Sequence, residues 1–134
     1  MNILIAEDDE ISQIVIQELL HKYGICHIVP NGRLAIEAFI ERQAQGNVFD
    51  LICLDIMMPE VDGQVALRTI RKIEHENGLV DSKASKIIMT TALGDPKNVM
   101  QAIVQGECNG YLTKPIDPDE LSELLGDLGF GPVS

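Results

Sequence analysis

Three short apolar runs in this chain each stop at a charged residue. Asn2-Ile3-Leu4-Ile5-Ala6 is followed by Glu7-Asp8-Asp9, Leu51-Ile52-Cys53-Leu54 by Asp55, and Tyr111-Leu112-Thr113 by Lys114-Pro115. Carboxylates gathered at one place repel unless a cation sits among them or one takes up a proton. Oxygen donors without a converging His or Cys suit a hard divalent ion such as Mg²⁺, which keeps several waters and is often completed by phosphate oxygens. Lys114 has no Ser/His nucleophile pair beside it, so it serves as counter-charge either to a phosphoryl group or to Asp55 itself.

These residues must be brought together by elements that end side by side. Short apolar runs alternating with helical patterns predict buried parallel strands, and open α/β sheets bind ligands beyond the carboxyl ends of their strands. The expected strands are residues 2–6, 25–29, 51–54, 86–90 and 110–113. Between them lie helices capped by Asn31, by Asp62, by Asp95 with Pro96, and by Asp117 with Pro118. The first starts near Glu10, with Ile11, Ile14, Val15, Leu19 and Leu20 as its inward stripe. The third has Val65, Ala66, Ile70 and Ile73 inward. The fourth carries Val99, Met100, Ile103 and Val104 and closes at Gly106, and the fifth turns Leu121, Leu124, Leu125 and Leu128 to the core. The polar stretch from Asn77 to Ser85 exceeds the usual ~2–6 residues of such a connection and is assigned no function. Right-handed crossovers then give a doubly wound five-stranded parallel sheet of flavodoxin-like order 2-1-3-4-5 with helices on both faces. That order sets strands one and three together, so Glu7, Asp8 and Asp55 meet.

The set Glu7, Asp8, Asp55 within Leu54-Asp55-Ile56-Met57-Met58-Pro59-Glu60-Val61-Asp62-Gly63, Thr91 within Met89-Thr90-Thr91-Ala92, and Lys114-Pro115 resembles the receiver domain of two-component response regulators. The likeness extends from about Asn2 to about Leu128 and rests on motifs arriving in order at strand ends. It implies that Asp55 is the nucleophile, taking a phosphoryl group from a histidine kinase or a histidine phosphotransfer protein to form an acyl phosphate. It further implies that Asp8 binds Mg²⁺ directly, Glu7 through water, and Met57 through its main-chain carbonyl. Thr91 and Lys114 would meet phosphoryl oxygens. Thr91 is preferred to Thr90 because the family places the hydroxyl residue just before a small one, here Ala92. Tyr111 stands where the family carries an aromatic that rotates inward on activation, so a protein target is expected on the face of helix four, strand five and helix five. Asp9 is left outside the site, as an acid favoured by the start of helix one.

Other properties narrow the function. A chain of 134 residues fits one domain, expected over residues 1–129 with a short tail at 130–134. The formal charge of -11 argues against direct nucleic acid binding, which needs a basic surface. Cys26, Cys53 and Cys108 are widely spaced and read as free thiols in a reducing compartment. No apolar stretch approaches the ~20 residues of a membrane helix, and no signal-peptide pattern opens the chain, so a cytoplasmic location without membrane attachment is expected.

The leading expectation is thus a binding switch that catalyses only its own phosphorylation and dephosphorylation, acting without an output domain. A phosphorelay intermediate that passes the group to a histidine phosphotransfer protein is the alternative. A haloacid-dehalogenase-like phosphatase needs a second acid two residues after its nucleophile, and Met57 at that place cannot transfer a proton. Met57 and Leu93 flank the site with apolar side chains where polar ones could orient a water, which predicts slow hydrolysis of the phosphorylated form. His21, His27 and His75 have no spacing that resembles a ligand set.

Overall fold

The apolar runs form parallel strands β1 (Asn2–Ala6), β2 (Ile25–Val29), β3 (Leu51–Asp55), β4 (Lys86–Thr91) and β5 (Gly110–Thr113) in a computed structural model that describes residues 1–58, 61–92 and 107–132. They make one sheet in the order β2-β1-β3-β4-β5, as the crossover argument requires. Central β3 is buried along its whole length, which explains its unbroken apolar run. Helices α1 (Glu10–Leu20), α2 (Gly32–Ala44) and α3 (Gly63–Glu76) and a C-terminal helix (Pro118–Asp127) cover the sheet.

Alternation along the strands divides the interior into two layers. Leu4, Ile52, Leu54 and Met89 pack on one face against Phe39 of α2 and Leu67 and Ile70 of α3. Ile3, Ile5, Cys53 and Ile88 pack on the other against Ile16 and Leu20 of α1 and Leu121 and Leu125 of the C-terminal helix. Asn31, Asp62 and Asp117 cap their helices as expected, accepting from the N–H groups of Leu34, Val65 and Asp119. The three cysteines are free, and burial pushes the Cys53 thiol up to about 12, which keeps it protonated.

Two helices are turned differently from the sequence expectation. In α1, Ile16 and Leu20 are buried, whereas Ile11 (73% exposed), Ile14 and Val15 face outward. The helix has apolar residues on two faces, and periodicity alone cannot choose between them. Packing against the sheet decides the outcome, while Asp9 caps the first turn by accepting the Ser12 N–H at 2.9 Å. In α3, Val65 is 38% exposed and Leu67 takes a core position with Ala66 and Ile70. The proposed fourth helix from Asp95 to Gly106 and Leu93 lie outside the described residues.

The connection after α3 contains a 3-10 turn at Asp81–Lys83 and ends in a buried polar cluster that the sequence did not reveal. Arg71 donates to the Glu74 carboxylate at 2.6 Å, the Ser85 carbonyl at 2.9 Å, the Asn109 side chain at 2.7 Å and the Glu107 carbonyl at 3.1 Å. Glu74 also accepts from the Ser85 N–H at 2.7 Å. This cluster ties α3 to the starts of β4 and β5, at the end of the sheet opposite the acidic residues. Arg71→Met would leave Glu74 buried without its counter-charge, so urea unfolding should show a loss of about 3 kcal/mol.

Candidate functional site

The hydrogen-bond ladder of each strand runs one residue past its apolar run and thereby fixes a charged residue. The Glu7 N–H donates to the Val29 carbonyl at 3.0 Å, the Ile56 N–H beyond Asp55 to Thr90 at 3.0 Å, and the Lys114 N–H to Thr91 at 2.8 Å. Ala6 stands opposite Leu54 and Asp55 opposite Thr90, so Glu7 and Asp55 leave adjacent strands at the same level. Gln13 of α1 adds a hold on this turn, its side-chain amide donating to the Glu7 carbonyl at 2.6 Å.

Glu7 and Asp55 are both buried, while Asp8 beside them is exposed. One carboxylate oxygen from each of the three lies within 4.8 Å of the others. The Lys114 ammonium reaches in from the end of β5, forming ion pairs with Glu7 Oε1 and, at 3.0 Å, with Asp55 Oδ2. Asp55 Oδ1 accepts the Met57 N–H at 3.2 Å, and Glu7 Oε2 accepts the Asp9 N–H at 3.3 Å. Lys114 precedes Pro115 through a cis bond.

Burial raises the Glu7 carboxyl above its ordinary 4.5, and its hydrogen bond with Asp55 raises it further, with Lys114 offsetting only part. Burial would lower the Lys114 ammonium, yet its bonds to Glu7 and Asp55 outweigh this and hold it above 10.5. The two shifts agree physically: one lysine gains from two carboxylates, whereas each carboxylate shares one lysine. Asp9 lies on the other side of this division. Its bonds with Ser12 lower its carboxyl, as befits an exposed helix cap outside the cluster.

The remaining sequence candidates surround this cluster. Thr91 ends β4 and is buried, its hydroxyl directed at the Ala92 carbonyl at 3.4 Å. Thr90 lines a cleft of about 180 Å³ with Glu7, Lys114, Ile11, Val15 and Ile116. Met57 is 64% exposed at the rim, and Tyr111 of β5 is 46% exposed, so its ring lies outward here. Gly63, at the start of α3, was not singled out from sequence. An added Cβ there would fall 2.2 Å from the Asp55 carbonyl oxygen, so only glycine lets α3 approach the strand end so closely. Its place directly after the capping Asp62 was the available signal.

The model of the response regulator receiver domain matches residues 3–126. The chain belongs to this family. The receiver is 31% identical to the chemotaxis protein CheY of Bacillus subtilis, over 92% of each chain. It is 38% identical to a probable transcriptional regulator, ycf29, of Porphyra purpurea, and 32% identical to the osmosensing histidine protein kinase SLN1 of Saccharomyces cerevisiae. These matches cover 95% and 93% of this chain but only 56% and 10% of those longer proteins. Among solved structures, it superposes with a TM-score of 0.77 at 28% identity on a chain from the co-crystal of the yeast histidine phosphotransfer protein Ypd1 with the Ssk1 receiver domain, covering 93% of this receiver and 86% of that chain. A receiver from Clostridium thermocellum gives the same TM-score at 25% identity, with coverages of 94% and 91%. The flavodoxin-like receiver fold expected from the sequence is the one observed.

The raised Glu7 carboxyl has a consequence for stability without added metal. The folded chain takes up this proton before the unfolded chain does, so the Glu7 contribution grows as pH falls through its raised folded value toward 4.5, and diminishes as pH rises. Urea midpoints at pH 7 and pH 5 should therefore shift in favour of wild type relative to Glu7→Gln on acidification. An equal shift in both proteins would contradict the assignment.

Proposed function

We propose that this receiver is a phosphorylation-driven switch, taking a phosphoryl group from a phosphohistidine onto Asp55 and thereby changing its affinity for a protein target. The observation that carries this reading is the buried Asp55 carboxylate held between Lys114 and the Met57 N–H, beside two further acids. Attack by an Asp55 oxygen forms a P–O bond as the P–N bond to the donor imidazole breaks, its electron pair returning to nitrogen. The chain catalyses only this transfer and the later hydrolysis, and in this reading it works in the cytoplasm.

Three carboxylates with only oxygen donors fit Mg²⁺, with Glu7, Asp8, Asp55 and the Met57 carbonyl as the residues that would hold it. Once bound, the ion would neutralise charge on the phosphoryl oxygens. Lys114 is placed to transfer its ammonium from Asp55 to one of those oxygens, and the Thr91 hydroxyl to turn toward another. Movement of Thr91 at the end of β4 would open room for the Tyr111 ring on adjacent β5, changing the face made by β5, the C-terminal helix and the fourth helix expected from the sequence. That face is the proposed target surface. With Met57 apolar at the rim, no side chain at that position orients water, and slow hydrolysis follows.

A relay role is the second reading. It is favoured by the similarity to a segment of the histidine kinase SLN1 and to a chain from the Ypd1 complex. In that case a histidine phosphotransfer protein would receive the group back from Asp55.

Incubation with acetyl phosphate and Mg²⁺ should add one phosphoryl mass, seen by intact-mass spectrometry, and Asp55→Asn should abolish the adduct. Persistence of the adduct in that variant would refute Asp55 as acceptor. Thr91→Ala should still be phosphorylated yet lose the beryllofluoride-induced amide shifts around Tyr111 and Leu121–Leu125. Retention of those shifts would remove Thr91 from the switch.

A further inference from the structure

The fold treats its methionines unequally. Met89 of β4 is 0% exposed and Met58 8%, and Met1 packs partly buried against the core, whereas Met57 is 64% exposed. The Met57 N–H donates to Asp55 Oδ1 at 3.2 Å, so this open thioether belongs to a residue whose main chain is tied to the acceptor carboxylate. We propose that hydroperoxides oxidise Met57 reversibly to the sulfoxide, and that the sulfoxide oxygen shortens the life of the phosphoryl group on Asp55.

A sulfur lone pair attacks the terminal oxygen of the hydroperoxide, forming an S–O bond as the O–O bond breaks. The departing alkoxide takes the proton from the transferred oxygen, so sulfur loses two electrons and the hydroperoxide is reduced to an alcohol. A thioether needs no deprotonation for this, and access governs its reaction. The competing thiols react as thiolates, and burial pushes Cys26, Cys53 and Cys108 up, which keeps them protonated. The effect on Asp55 rests on the proposed phosphoryl acceptor. Thioether sulfur is a weak hydrogen-bond acceptor, whereas the sulfoxide is polar and its oxygen can hold an attacking water. A single such bond, made in the hydrolysis transition state, corresponds to about fivefold in rate. Methionine sulfoxide reductases return the thioether, so the mark can be erased.

Treatment of the whole chain with tert-butyl hydroperoxide, followed by peptide mapping, should place the first added oxygen on Met57. Oxidised and untreated proteins are then phosphorylated with acetyl phosphate and Mg²⁺, freed of the donor and followed by intact-mass spectrometry. Decay should be about fivefold faster after oxidation and return to the untreated rate after incubation with methionine sulfoxide reductases. In Met57→Leu, hydroperoxide should leave the decay rate unchanged. A first oxygen on any other methionine or on a cysteine would overturn Met57 as the site. Oxygen on Met57 without faster decay, or an equal acceleration in Met57→Leu, would overturn its effect on the phosphoryl group alone. Absence of a phosphoryl adduct in the untreated chain would overturn that effect together with the acceptor assignment beneath it.

Discussion

One ammonium group between two buried carboxylates is the interaction on which this site depends. Glu7 and Asp55 leave neighbouring strands at the same level, and burial of both without a counter-charge would drive one of them to protonate. Lys114 keeps the pair tolerable. It comes from β5, across β4 from β3, so it can reach them only because the strands end in register and the sheet order is β2-β1-β3-β4-β5. The fold and the electrostatics therefore impose the same requirement.

The two ends of the sheet are built for different work. At the carboxyl end, the charged groups are held by a partly exposed lysine and by main-chain N–H donors, with Asp8 exposed beside them. At the opposite end, Arg71 is fixed by four acceptors in a buried setting and joins α3 to the starts of β4 and β5. In the proposed switch, this anchor would keep the strands in place while charge rearranges around Asp55. Gly63 contributes to the same economy of space, since its missing side chain allows α3 to rest against the backbone of Asp55.

Membership of the receiver family gives the acidic cluster its most direct chemical meaning, and the local geometry gives that meaning physical content. Asp55 is buried and hydrogen-bonded, and its partner Lys114 lines a cleft together with Glu7 and Thr90. The Thr91 hydroxyl is turned to the Ala92 carbonyl and the Tyr111 ring lies outward, an arrangement in which neither engages Asp55. Both residues have a second position available in the proposed switch, and the charge at Asp55 is what would select it.

The sequence by itself determined the strands, the order in which they pair, the capping residues and the charged residues at the strand ends. These are legible because apolar runs, Asn and Asp caps and proline positions act locally, within a few residues of where they stand. It also separated Asp9 from Glu7 and Asp8, since an acid one place further on is favoured by the start of the helix itself; that Asp9 caps the helix came from the structure. Tertiary structure alone decided which apolar face of α1 is buried, for Ile11, Ile14 and Val15 are as hydrophobic as Ile16 and Leu20. It also turned Val65 outward, and it assembled Arg71, Glu74, Ser85 and Asn109 from three separate segments. Above all it placed Lys114 on both carboxylates at once: which charges share a partner depends on distances across the sheet, and no spacing along the chain encodes those.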